Sequence, residues 1–360
     1  MRLLNTLTLA AVAIVILLTI NGTASTPTAQ QSMMGLPYDF DHLSASGYVT
    51  VRPGAHIFYW MLTAARYNPN IDMYERVPHP ERLPTILWLQ GGPGGSATGF
   101  GNFELIGPLD DDLAVRNSSW VEHANLLFID SPVGTGFSYV DSEAALATTN
   151  EQIATDLVAT LRHVFGEQST SSLYVFSESY GGKMAVSLAT QLARAVKMGQ
   201  LRVKLKGLAL GDPWISPLDS VASWPPYLKA MSLLDEHQYE ELQAQVKGGM
   251  ERMLAEQQWE NATREWSHLE RLIRLRTFNV NFYNVLKHED PFDLEMELGL
   301  RDELKFRKGQ LSKGKGKKNF IAEQSALSAD PRLFLYKLGD FYDEKLKELM
   351  VNTVAKMLKT

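Results

Sequence analysis

The 360-residue sequence contains no cysteine. Disulfides, thiol catalysis and thiolate metal centres are therefore excluded. It also lacks any strong imbalance of charge: 35 Lys and Arg stand against 41 Asp and Glu, a formal charge of -6. Neither a nucleic acid nor an anionic membrane is implied as a partner. Charged residues make up only 21% and hydrophobic residues 45%, a balance that buries a core instead of staying disordered. Beyond the first 20 residues no apolar run is long enough to span a bilayer. The glycine-rich stretches carry neither the Lys-Ser/Thr of a phosphate loop nor dinucleotide spacing. No cofactor and no metal are expected.

What is present begins with a location signal. One early Arg, an apolar stretch from Leu7 to Ile20 and the small residues Gly22-Thr23-Ala24 read as a signal peptide over 1–24. The chain is expected to be secreted or lysosomal/lumenal, with no membrane span once the leader is removed. In that compartment Asn117 (Asn-Ser-Ser) and Asn261 (Asn-Ala-Thr) are glycan acceptors.

Residues 31–216 read as an α/β core. "SGYVTV" and "HIFYWMLTAAR" predict two antiparallel strands joined at Pro53-Gly54, and 66–84 reads as a surface loop rich in Pro and Asn. Apolar runs at 84–90, 125–130, 172–178 and 204–212 predict strands. Helical patterns precede and follow the third of them, the first with Ile153, Leu157 and Leu161 on one face and the second closed by Gly199. Strands joined by helical crossovers imply a mostly parallel sheet covered on both faces. From Pro217 the pattern becomes helical, so 217–330 reads as an inserted helical cap followed by a basic Gly/Ser/Lys-rich surface loop at 300–320. Residues 331–360 are expected to return to the core and to end on an amphipathic helix.

Three glycine-rich segments follow predicted strands. In "LYVFSESYGGKMA" a strand runs into Ser177-Glu178-Ser179-Tyr180-Gly181-Gly182 and then a helix. A tight strand-to-helix turn of small residues is what an exposed nucleophilic serine requires. Gly181 occupies one of the two usual glycine places, and Ser177 occupies the other. The residues alone leave two readings of Ser179, a nucleophile or a helix N-cap. Gly91-Gly92-Pro93-Gly94-Gly95 follows "WLQ" and opens backbone N–H groups toward an anionic centre, as an oxyanion hole needs. The third loop, Asp130–Val140, begins with an aspartate read as a cap or brace.

"WLQGGPGGS", "GNFELIGPLD", "LLFIDSPVGTGFSYV", "LYVFSESYGGKMA" and "LKGLALGDPWISPLDS" resemble the serine carboxypeptidase family, with similarity from about Gly47 onward that weakens across 300–330. The resemblance implies an α/β-hydrolase fold with an inserted helical cap, and release of C-terminal residues from peptides or proteins in an acidic lumen. It makes Ser179 the nucleophile, and Gly92 and Tyr180 the backbone oxyanion donors. It assigns Gln90, Gly91 and Glu178 to the substrate carboxylate, with Glu178 paired to a second acid. A homodimer is left open.

The sequence departs from the family at three places. Gln90 replaces an Asn, and Leu105 stands where a Glu is expected, with Glu104 adjacent. The motifs that carry the triad Asp and His are absent: the last histidine is His288, and Asp330, Asp340 and Asp343 lie in no such motif. His56, His123 and His163 read as packing or surface residues. The final strands of the fold are therefore expected to be missing, and the chain as it stands is expected to be inactive or nearly so. The alternative is a noncatalytic secreted homologue that binds peptides.

Overall fold

The computed structural model of this chain describes residues 36–166, 169 and 171–289. They fall into two compact units that divide between Trp214 and Ile215.

The first unit is built on a seven-stranded sheet. Its strands are β1 (Ser44–Arg52), β2 (Ala55–Leu62), β5 (Thr85–Leu89), β6 (Asn125–Ile129), β7 (Tyr139–Val140), β8 (Ser172–Glu178) and β9 (Lys204–Gly211), in the order β1-β2-β6-β5-β8-β9 with β7 also on β2. β1, β6 and β7 each run antiparallel to β2, while β6, β5, β8 and β9 are mutually parallel. Six strands thus point one way and β2 alone opposes them, as the strand–helix alternation predicts.

The side-chain period of two sorts each strand between two cores. Phe58, Trp60, Leu126, Phe128 and Trp88 enter one cluster. Ile57, Leu87, Leu89, Leu127, Ile129 and Val175 enter the other. Strands apolar on both faces must be covered on both. On the second face the cover is two helices, α2 (Asn150–Phe165) and α3 (Gly181–Lys197). Ile153, Leu157 and Leu161 of α2 and Met184, Leu188 and Leu192 of α3 are buried in that cluster; each contributes about 1.5–3 kcal/mol. Thr149 caps α2 by accepting from the Gln152 N–H (3.2 Å), and Gly166 ends it at φ +65°. Gly199, at φ +73°, follows the end of α3. A single helical turn, α1 (Phe40–Leu43), precedes β1.

One segment differs from the sequence reading, and one that it left unassigned is helical. Within 66–84 the chain makes a small hairpin, β3 (Ala65–Asn68) with β4 (Met73–Arg76). Tyr67 and Tyr74 face each other across it, and that aromatic pairing outweighs the Pro and Asn of its turn. The stretch after the first glycine loop is a wide helix over Ala97–Ile106, closed by the Gly107 N–H on the Asn102 carbonyl five residues back (2.9 Å).

The second unit is helical over its described part: α4 (Pro217–Ala230), α5 (Glu236–Gln245), α6 (Arg252–Ala255) and α7 (Trp259–Arg276). Asp235 and Gln238 form a reciprocal capping box at the start of α5 (2.8 and 3.0 Å). Leu242, Val246, Met250, Leu269 and Ile273 are among its buried residues, and Glu241 pairs with Arg276 at 2.9 Å. The predicted leader, the basic 300–320 stretch and residues 331–360 lie outside the described residues. No described helix is long and apolar enough to cross a membrane.

Candidate active site

Ser179 occupies the turn between β8 and α3 with φ +53°, a left-handed conformation that a non-glycine residue holds only when its surroundings enforce it. Those surroundings are backbone on three sides. The Ser179 N–H donates to the Gly211 carbonyl of β9 (3.1 Å), and its own carbonyl accepts from the N–H groups of Trp214 (2.8 Å) and Gly182 (2.9 Å). A Cβ on Gly181 would lie 2.4 Å from the Leu89 carbonyl oxygen and 3.1 Å from the Ser177 Cβ. Only glycine lets α3 start so close to β5. Ser179 is therefore no N-cap: its side chain stands half-exposed at the end of the sheet, on a turn with the shape of a nucleophile elbow.

The glycine loop lies directly against it. A Cβ on Gly91 would stand 2.8 Å from the Ser179 Cβ and 3.2 Å from its Oγ. Gly92 and Gly94 have φ of +115° and +109°, and the Gly95 N–H closes the turn on the Gly91 carbonyl (3.0 Å). The N–H groups of Gly92 and Tyr180 have no backbone acceptor among the described residues. Gly92 follows Gly91 on the loop, and Tyr180 follows Ser179 at the head of α3.

Gln90 and Glu178 meet at the ends of neighbouring parallel strands. The Gln90 Nε2 donates to Glu178 Oε2 (2.8 Å), and the Trp88 indole N–H donates to Gln90 Oε1 (2.9 Å). The indole fixes which way the amide points, so its NH2 faces the carboxylate with one hydrogen to spare. Trp88 was not singled out in the sequence; its position two residues before Gln90 on one strand was the available signal. Asn150, at the head of α2, was also missed: its Oδ1 accepts from the Tyr180 hydroxyl (3.1 Å). Burial pushes that phenol upward and the bond to Asn150 pulls it back. Leu105 is 38% exposed beside an exposed Glu104. Asn117 and Asn261 are both exposed.

Among the described residues of this unit, no histidine hydrogen-bonds Ser179. All eight histidines of the sequence fall among the described residues. His56 bonds Thr50 (3.0 Å) and Asp141 (3.3 Å) and stacks on Tyr139. His42 pairs with Asp39 and His79 with Glu81. His163 packs near the Tyr59 ring, and His123 is exposed. In the second unit the His288 Nδ1 lies 2.9 Å from the Phe278 carbonyl oxygen. Without an imidazole on its Oγ a serine stays protonated and weakly nucleophilic. Among the described residues no group of His, Asp and Glu is arranged to hold a metal ion.

Comparison with known proteins agrees with this geometry. The family model described as "Serine carboxypeptidase" matches residues 35–329. The retinoid-inducible serine carboxypeptidase of Mus musculus is 46% identical over 250 residues, covering 68% of this chain and 52% of its own. Serine carboxypeptidase-like 51 of Arabidopsis thaliana is 41% identical over 283 residues, 74% of this chain and 58% of its own. The chain thus spans about half the length of the curated relatives it matches. Among solved structures, a prohormone-processing carboxypeptidase from Saccharomyces cerevisiae superposes with TM-score 0.54 at 22% identity, over 71% of this chain and 59% of that one. That likeness shows a shared α/β-hydrolase fold. With the elbow, the glycine loop and the matched length together, the chain belongs to the serine carboxypeptidase family.

Proposed function

We propose that Ser179 is the nucleophile of a serine-type carboxypeptidase that releases C-terminal residues from peptides or proteins. In this reading Ser179 Oγ attacks the carbonyl carbon of the last peptide bond. The oxyanion that forms is held by the N–H groups of Gly92 and Tyr180. The C–N bond breaks, the leaving amine takes the serine proton through a general base, and the C-terminal amino acid departs. Water then hydrolyses the acyl ester on Ser179. Gln90 and Glu178, with the Gly91 backbone, receive the substrate's terminal carboxylate. The single observation that carries the reading is the left-handed Ser179 packed against Gly91, on a turn whose helix Gly181 lets start against Leu89.

The base is the missing part. The described histidines of the first unit have other partners or lie on the surface, so these 360 residues are expected to show no Ser179-dependent turnover of a blocked dipeptide. Clear turnover that disappears in Ser179→Ala would overturn that expectation. A second reading is a noncatalytic homologue that holds peptide termini; the exposed Leu105 and the unassisted serine favour it. The two diverge at the transcript. Continuation into a strand bearing an Asp and a loop bearing a His supports the enzyme, and a confirmed stop supports the binder. We place either product in the secretory route from the leader at 1–24, with glycans on the exposed Asn117 and Asn261.

A further inference from the structure

Asp130 directly follows β6, with its side chain wholly buried. Its carboxylate accepts four hydrogen bonds: Oδ1 from Ser96 Oγ (2.9 Å) and the Thr98 N–H (3.1 Å), Oδ2 from Thr98 Oγ1 (2.8 Å) and the Phe137 N–H (2.9 Å). Every lone-pair direction is occupied, so none remains for an imidazole, and Asp130 is not a triad acid. The donors come from two separate loops. Ser96 and Thr98 are the first residues after the Gly91–Gly95 turn and open the ten-residue wide helix. Phe137 lies in the glycine-rich loop that begins at Asp130, where a Cβ on Gly136 would stand 2.2 Å from Oδ2. The aspartate backbone is fixed as well: its N–H bonds the Phe58 carbonyl (3.1 Å), and Ser138 Oγ bridges its carbonyl (2.5 Å) and the Phe58 N–H (2.8 Å).

The Gly91–Gly95 turn holds four glycines and a proline, so beyond the Pro93 ring and its internal Gly95–Gly91 bond no side chain of its own ties it to the fold. Its placement against the rest of the fold is set from its ends. At the Gln90 end the amide is tied to Trp88 and Glu178; at the Ser96 end the tie is Asp130. We propose that Asp130 is the positioning residue of this loop, a buried anion that anchors the exit of Gly91–Gly95 through Ser96 and Thr98 and thereby sets the Gly92 N–H beside Ser179. The inference rests on the reading of Gly92 as an oxyanion donor. Negative charge at the N-terminus of the wide helix suits the N–H groups that point there. Burial raises the acid's tendency to hold a proton, while the four donors oppose it. From β1 the Tyr48 phenol is the titratable group whose ionisation couples to it.

The test follows the loop by NMR in the full chain labelled with [15N]glycine and [15N]threonine. In the parent, the Gly92, Gly94 and Gly95 amides should move together with one midpoint, above the ordinary carboxylate value of about 4. Asp130→Asn should abolish that titration. Ser96→Ala and Thr98→Val each remove one donor that favours the ionised acid, so each should shift the shared midpoint upward, and they decide the matter where Asp130→Asn does not fold. A Thr98 amide that titrates while the three glycines stay still would overturn the proposal, since Asp130 would then serve only its own donors. Ser179→Ala should leave the titration unchanged. Failure of peptide binding or acylation with the titration intact would therefore remove the functional reading and leave the coupling standing.

Discussion

Gly181→Ala is the sharpest structural test of the elbow. Gly181 opens α3 directly over the end of β5, and the added methyl would sit 2.4 Å from the Leu89 carbonyl oxygen and 3.2 Å from its carbon. Neither atom belongs to a flexible side chain. Relief requires β5 and α3 to separate by roughly 0.8 Å, in a core where such overpacking costs about 1–3 kcal/mol and occasionally more. Helix propensity returns up to about 1 kcal/mol, because Gly181 already has helical dihedrals. The parting also moves Ser177, two residues before Ser179, so the cost should fall at the top of that range and the net loss should be about 2 kcal/mol. The matched control is Gly199→Ala at the other end of the helix. That position has φ +73° and nothing within 4 Å, so only left-handed strain of about 1–2 kcal/mol applies. With a urea m-value near 3 kcal/mol/M, Gly181→Ala should lower the unfolding midpoint by about 0.7 M, and Gly199→Ala by no more than that. A Gly181→Ala protein as stable as the parent, or less affected than Gly199→Ala, would refute the packing argument.

Two further predictions concern buried polar groups. Ser177 Oγ is buried with no hydrogen-bond partner, so Ser177→Ala should be neutral or stabilising by up to about 1 kcal/mol in the same denaturation assay. Arg52 holds the buried Asp156 through its Nε at 3.1 and 3.2 Å, and Arg52→Ala should cost about 3 kcal/mol at neutral pH. Burial raises the Asp156 carboxyl and Arg52 pulls it down. Its folded value is therefore above the unfolded one, so its contribution is fully present in acid and lost as pH rises through that value. Removing Arg52 raises it further. The gap between variant and parent should be small near pH ~4 and full at pH ~7, and a gap that widens in acid would count against this assignment.

The parallel strands and their crossover helices were legible because the central strands β5 and β6 are apolar on both faces and each helix carries a clean apolar stripe, as at Ile153, Leu157 and Leu161. Ser179 was legible as a candidate through its strand–turn–helix context. What favours the nucleophile reading over an N-cap was not in the sequence: the positive φ, and the contact of Gly91 with β8 and of Gly181 with β5. The wide helix over Ala97–Ile106 was hidden by the glycines at 99 and 101. Gly101 is there because Trp88 crowds it, with a would-be Cβ 2.5 Å from the indole Cδ1, a contact no local propensity encodes. The β3–β4 hairpin was masked by Pro69 in its turn. Asp130 was read as a brace, but its four donors come from residues 32 to 34 positions before it and 7 after, and only the fold brings them together.

The central claim is that these residues assemble a nucleophile and its oxyanion donors without the base. An oxyanion hole alone retains about 10³–10⁴-fold catalysis over water. Incubation with an activated p-nitrophenyl ester, followed by intact mass and peptide mapping, measures the claim directly. The account predicts slow, stoichiometric addition of one acyl group to Ser179, with no continuing turnover because nothing activates the water, and its loss in Ser179→Ala. Acylation spread over lysines and other serines, with Ser179 no faster than the rest, would contradict it.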